Sequence, residues 1–265
     1  MRIISIANLK GGVGKSTTTI NLGYNLSKQG YKVLLVDNDK QGNTSEFFCC
    51  SQDDDEKGTH TILLEKKINM KELIVNTKYE NLDIIPTNMK LLEADMRLLL
   101  DTSRPREKIY EKAFAQVASD YDYCIIDNTP SLDFSVVNAL VCANEVIITV
   151  KIDNFCKTGL NILAEQIDNL KDSDGFNIKL NKATVLFTMC NNSNVSKDGN
   201  EYIKSTLSNL SNLIEYKSFE TKISRTVVVY ESTFAKKPLS IYNNKSTASI
   251  DYEKLAEEFL SKRSI

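Results

Sequence analysis

The eight residues Leu9-Lys10-Gly11-Gly12-Val13-Gly14-Lys15-Ser16 restrict this chain more than any other stretch. They follow the apolar run Ile3 to Ala7 and precede a segment with helical periodicity, Thr17, Ile20, Leu22 and Leu26 among its positions. A strand, a glycine-rich turn and a helix start in immediate succession make a cradle for phosphate. Glycines let backbone N–H groups turn inward without Cβ clashes, and the helix N-terminus adds partial positive charge. Lys15 is expected to reach β- and γ-phosphates and the Ser16 hydroxyl to bind Mg²⁺, with Gly11, Gly12, Val13, Gly14 and Thr17 completing the loop. An ordinary glycine turn before a helix is the alternative, and Gly-Lys-Ser placed directly after a strand argues against it.

The remaining chain alternates β and α signals. Arg2–Ala7 reads as the first strand, and its helix runs to about Gln29, where Gly30 stops it. Tyr31–Asp37 reads as a second strand, apolar on both faces as parallel strands are. Short helices are expected at Thr59–Lys67 and Met70–Val75, after a polar loop holding Asp53-Asp54-Asp55-Glu56 that reads as solvated. Leu82–Pro86 is the third strand, and helical patterns follow at Met89–Leu100 and Arg106–Ala118. Tyr123–Asp127, Val146–Val150 and Ala183–Met189 are the fourth to sixth strands. Ile250–Ser261 closes with Tyr252, Leu255, Ala256 and Phe259 on one helical face. With 265 residues, 42% of them hydrophobic, the expectation is one α/β domain over residues 1–265: a doubly wound, mainly parallel sheet flanked by helices.

Composition narrows the chemistry. His60 is the single histidine, so histidine catalysis and zinc sites have little support. The six cysteines form no C-x-x-C pair and read as reduced thiols of a cytoplasmic protein. No secretory h-region or run of ~18 apolar residues is present, so no membrane span is expected. A net charge of −2 exerts no global pull on nucleic acid, and any such contact needs a local patch.

Acidic residues end two apolar strands, where ligands bind in such folds. Asp127 closes Cys124-Ile125-Ile126-Asp127, and Asp37 and Asp39 lie in Val36-Asp37-Asn38-Asp39-Lys40-Gln41-Gly42-Asn43. Each acid alone reads as an N-cap or turn residue; with the loop at 10–16 they form a set.

That set resembles the deviant Walker A ATPases of the ParA/MinD family, and within it the ParA/Soj partition proteins. Lys10 stands before the double glycine, where the family carries an additional lysine. Val36 to Asn43 resembles V-D-x-D-P-Q-G-N, with Lys40 at the proline, and Ile125 to Leu132 resembles I-I-D-x-P-P-S-L, with Thr129 at the first proline. Glu145–Val150, Leu186–Met189 and Lys237–Leu239 are similar to further family stretches. The resemblance implies an ATP hydrolase using Mg²⁺. Lys15 then holds phosphate, Ser16, Asp37 and Asp127 serve the metal, Asp39 positions the attacking water, and Lys10 reaches across an ATP-dependent homodimer. The segment around Met189 and the loop from Phe234 to Pro238 fall where the family places the adenine. It also implies non-specific DNA binding in the nucleoid, for which Lys222, Arg225, Lys236 and Lys237 are the candidates, and stimulation by a ParB-type centromere-binding partner. Val228 stands where the family often has a further arginine, and Ser193 and Asn194, with Lys197 nearby, stand where it often has a basic residue. A MinD-like membrane-positioning ATPase is the alternative; its basic amphipathic tail is not matched by a last helix holding Glu253, Glu257 and Glu258. A metabolic ligase on the same loop is opposed by the Val36–Asn43 segment, and a DNA-binding repressor by the lack of a helix-turn-helix stretch ahead of the loop.

Overall fold

A computed structural model describes residues 1–50, 57–103, 105–153, 156–172, 179–191, 201–203, 205–207, 210 and 213–262. The acidic run at 53–56 and the positions 193, 194 and 197 lie outside them. Among the described residues eight strands form one sheet in the order β3-β4-β2-β5-β1-β6-β7-β8. They are β1 (Arg2–Ala7), β2 (Val33–Asn38), β3 (Val75–Asn76), β4 (Leu82–Ile85), β5 (Tyr123–Asn128), β6 (Glu145–Lys151), β7 (Lys182–Thr188) and β8 (Glu215–Ser218). Every pairing is parallel except β3 with β4. The doubly wound, mainly parallel architecture read from the sequence is therefore present.

The central strands are covered on both sides, which is why their sequences are apolar throughout rather than alternating. On one face Val33, Leu35, Ile125 and Ile4 pack against Leu22 and Leu26 of α1 (Lys15–Lys28) and against Tyr252, Leu255 and Phe259 of the C-terminal helix (Thr247–Ser261). On the other, Leu34, Val36, Cys124 and Ile126 meet α3 (Thr59–Leu64), α4 (Lys90–Leu100), α5 (Ile109–Phe114) and α6 (Phe134–Cys142). A further cluster joins β6 and β7 to α7 (Cys156–Asp172). Each such Leu, Ile or Phe contributes about 1.5–3 kcal/mol on burial. The shorter helices are α2 (Asn43–Phe47), α8 (Val228–Phe234) and α9 (Leu239–Tyr242), so the C-terminal helix is α10.

Several boundaries differ from the sequence reading. The helix expected over Met70–Val75 is a single 3₁₀ turn, Met70–Glu72, after which Val75 enters β3. The helix at Thr59 ends at Leu64 rather than Lys67, because Glu65 is already extended, and Arg106–Ala118 is reduced to α5 plus a 3₁₀ turn at Ala115–Val117. α2, α8, α9 and the edge strand β8 are additions. β1 lies between β5 and β6, so the chain leaves it toward opposite edges of the sheet, and the crevice above its C-terminal end is the expected ligand position.

Candidate active site

The loop leaving β1 is held from three directions. Asn8 donates to the Thr149 carbonyl at the end of β6 (2.6 Å) and accepts from the Lys10 N–H (2.8 Å). Thr188, closing β7, donates to the Val13 carbonyl at 2.8 Å. Gly12 and Gly14 have φ of 68° and 85°, which side-chain-bearing residues rarely adopt, and Gly14 is the N-cap of α1. Free backbone N–H groups at the start of α1 and the Lys15 ammonium thus converge above β1, an arrangement suited to an anion.

Lys15 is buried, and burial lowers its pKa while the charges of Asp127 and Asp39 raise it. Its ammonium donates to the Lys10 carbonyl at 3.2 Å. Ser16 and Thr17 follow on the first turn of α1, half-buried. Lys10 pairs with Asp153 of its own chain, a residue the sequence did not single out.

Two carboxyls sit side by side on β2 and β5, where Asp37 and Asp127 are paired in register, both with no exposure. Burial, then repulsion from Asp127, raises Asp37 to about 8. Burial raises Asp127 to about 6, opposed by the hydrogen bond from Thr44, by the nearby Ser16 hydroxyl and by the Lys15 charge. The two acids differ in their bonding. Asp37 is committed: one oxygen accepts from the Ser45 N–H and hydroxyl (both 2.7 Å), the other from the Asp39 N–H (3.2 Å). Asp127 accepts from Thr44 at 2.6 Å on one oxygen, and its buried Oδ1 has no hydrogen-bond partner among the described residues. An orphaned buried carboxylate oxygen beside a second acid is a place for a hard cation, which prefers oxygen ligands. Asp39 is buried at the head of a turn, bonded to the N–H of Gln41 (3.1 Å). Lys40 ties this turn to the segment after β5 by pairing with Asp133 (3.4 Å).

Beside the loop opens a cleft of about 530 Å³, lined by Gly12, Gly14, Thr17, Thr188, Met189, Arg225, Tyr230, Phe234 and Lys236 among others. Among the described residues, Met189 and Lys236 are two of the four non-glycine residues with positive φ, and both are on this wall. Backbone strain of this kind gathers at ligand sites. Pro238 is elsewhere: buried at the N-cap of α9, it does not line the cleft, and the next residue, Leu239, bonds through its N–H to Asn21 of α1 (2.9 Å). Of the four basic candidates, Arg225 and Lys236 are on the cleft wall, Lys236 paired with Glu46 at 3.5 Å; Lys237 is exposed and Lys222 half-buried outside it. The sequence reading missed Thr44, Thr188 and Asp153, which carry no local signal. It also missed Tyr230, one turn before Phe234 on α8.

Residues 1–182 match the AAA domain family. Over 258 residues the chain is 34% identical to the sporulation initiation inhibitor protein Soj of Bacillus subtilis, covering 97% of each. It is 32% identical to the chromosome partitioning protein ParA of Myxococcus xanthus, covering 98% of this chain and 88% of that one. Among solved structures it is similar to cobyrinic acid a,c-diamide synthase from Mycobacterium smegmatis with bound ATP analog and magnesium. That likeness has a TM-score of 0.82 and 27% identity, covering 100% of this chain and 96% of the other.

Proposed function

Because this chain belongs to the family of Soj and ParA partition ATPases, we propose that it is the nucleotide-driven switch of a DNA partition system. It is an ATP hydrolase, and ATP and Mg²⁺ are its ligands. The finer reading is that ATP joins two protomers, that the dimer holds DNA without sequence preference, and that a ParB-type partner triggers hydrolysis and release. On this reading the protein works in the cytoplasm on the nucleoid, and all 265 residues form one unit.

The observation that carries the catalytic assignment is the unpartnered Asp127 Oδ1, buried between Asp37 and the Lys15 charge. Asp127 and Ser16 would hold the metal, while Asp37 acts one step back by fixing the Ser45 and Asp39 turn. Mg²⁺ supplies charge stabilisation to the phosphates. Lys15 and the N–H groups of residues 11–17 fix the β- and γ-phosphates, and Asp39 orients water for in-line attack. Phosphoryl transfer asks little of a protein beyond this positioning and charge complementarity. Lys10 completes the partner's site on dimerisation by exchanging Asp153 for phosphate, which makes turnover depend on assembly. Met189, Tyr230 and Phe234 give the base an apolar wall, and Arg225, Lys222, Lys236 and Lys237 supply DNA contacts. A membrane role is disfavoured because α10 buries its apolar face against the sheet, and among the described residues no helix is long and apolar enough to span a bilayer.

The test is anisotropy of labelled random-sequence duplex DNA with ATP, ADP or no nucleotide across a salt series. ATP-dependent binding whose log affinity falls by about 0.9 per phosphate contact against log salt is expected. An ATP-loaded protein that leaves DNA free at low salt would sink the DNA arm, and liposome binding would be the next assay.

A further inference from the structure

Lys40 and Thr129 each stand where the family segments they resemble carry proline, one directly after Asp39 and the other two residues after Asp127. A proline offers neither an N–H nor a charge. In this chain both positions use what a proline lacks. The Thr129 N–H donates to the Asn38 carbonyl (3.3 Å), and the Lys40 ammonium pairs with Asp133 (3.4 Å). Both bonds join the same two stretches of chain, residues 37–41 at the end of β2 and residues 127–133 at the end of β5. Those stretches carry Asp39 and Asp127.

The carboxylate that receives Lys40 is kept available for it. Asp133 is the N-cap of α6, a position whose side chain ordinarily accepts from the first N–H groups of its own helix. It makes no such bond. Asp95, buried on α4, does so instead, accepting from the Ser135 N–H (2.7 Å) and hydroxyl (2.9 Å). Asp133 Oδ2 accepts from Lys40 and from the Ser131 hydroxyl (2.6 Å), which fixes the carboxylate on its own loop.

A half-exposed ion pair adds little to stability. What this one sets is the spacing of two loops. We propose that Lys40 and Asp133 are positioning residues for hydrolysis. Their pair holds the turn bearing Asp39 against the segment that leaves Asp127, so that the attacking water and the metal are placed in one rigid frame. The proposal rests on the assignment of Asp39 to the water. Neither Lys40 nor Asp133 lines the cleft beside the phosphate loop, so the pair acts on the rate of the chemical step rather than on nucleotide affinity. A displacement of about 1 Å at a reacting group can lower a rate about 10²-fold, and a loosened frame is expected to forfeit part of that.

Steady-state ATP hydrolysis by the full chain with Mg²⁺ tests this through a double-mutant cycle. Lys40→Met and Asp133→Asn are each expected to lower kcat about tenfold while KM for ATP stays within about twofold. The double variant is expected to be no slower than the slower single one, because either change already breaks the pair. Asn keeps the capping capacity of position 133, and thermal melting checks that each variant is folded. Lys40→Arg, which retains the charge, is expected to recover most of the loss seen with Lys40→Met. Losses that multiply in the double variant overturn the proposal. So does full turnover in Asp133→Asn beside an impaired Lys40→Met, since the lysine would then act without its partner, and so does a raised KM at unchanged kcat. Asp39→Ala reports separately on the assignment beneath the proposal. Full turnover in that variant removes both, whereas an inactive Asp39→Ala beside Lys40→Met and Asp133→Asn at the parent rate removes the pair alone.

Discussion

Replacing Asp37 by Asn is expected to stabilise the metal-free protein at alkaline pH while leaving it little changed in mild acid. The wild-type carboxyl goes from an ordinary 3.8 to about 8 on folding, so the native state binds its proton more tightly than the unfolded chain. Stability is then fully present below pH ~4 and falls as pH rises toward 8, by about 1.4 kcal/mol per pH unit. Over that window the loss reaches about 6 kcal/mol as an upper limit, because Asp127, at about 6, shares the same repulsion. An Asn at position 37 carries no charge, and its single oxygen can keep the Ser45 N–H and hydroxyl, both at 2.7 Å. It gives up the bond from the Asp39 N–H, the longest of the three at 3.2 Å, at about 1–2 kcal/mol. The net gain at pH 8 is therefore at most about 4 kcal/mol, on the order of 10 °C or less in Tm for a chain of this size. At pH 5 the wild-type penalty is only about 1.6 kcal/mol, and the two proteins should nearly coincide. Urea and thermal unfolding in EDTA at intervals from pH 5 to 8.5 measure the difference directly. A gap between variant and wild type that does not change with pH, or an Asn variant less stable at pH 8, would refute the electrostatic argument.

Three further outcomes follow from the site. Lys10→Ala, which removes a group paired with Asp153 rather than with the loop, should preserve nucleotide binding by the monomer but lower partner-stimulated turnover about 10³-fold or more; unchanged turnover would remove Lys10 from the partner's site. Asp39→Ala should reduce hydrolysis by at least about 10² while ATP-dependent dimers accumulate on a sizing column, and full activity would exclude it as the water-positioning residue. Thr188→Val deletes the bond to the Val13 carbonyl and leaves that acceptor buried, about 1–3 kcal/mol, so nucleotide Kd should rise about tenfold by calorimetry; an unaltered Kd would mean the loop does not depend on this brace.

The parts of the fold that the sequence revealed are those where local pattern and burial agree. β2 and β5 are six-residue runs buried at every position, bounded by turn residues, and could hardly be anything else. β8, Glu-Tyr-Lys-Ser, sits at the sheet edge with one buried residue, and β3 has two exposed residues; neither has enough apolar surface to announce itself. The same distinction holds in the site. Residues 10–16 and Asp127 were legible because their chemistry is written in contiguous residues. Asp153 and Thr188 reach the loop only because β6 pairs with β1 and β7 with β6, across 143 and 175 residues of chain. Pro238 was placed with the adenine by the family resemblance alone; α9 carries it beneath the surface and outside the cleft, whose wall includes the exposed Tyr230 and Phe234 of α8.

The residues one step beyond the paired acids have a consequence for how the sheet is assembled. Asn38 donates to Asn128 (2.8 Å), Asn128 donates to Ser5 (2.8 Å), and the Tyr110 hydroxyl donates to Asn38 (2.7 Å), all of them buried. Strands buried on both faces have no polar side to align by, so a slip of one residue between β2 and β5 would exchange one set of aliphatic side chains for another at small cost. The same slip would turn Asn128 away from Asn38 and strand several amide groups in a dry interior, at about 1–3 kcal/mol each. This row of amides is the alignment mark of an otherwise featureless pair of strands. Asn38→Leu or Asn128→Leu should accordingly keep the core apolar and yet lose the guarantee that Asp37 and Asp127 arrive opposite one another.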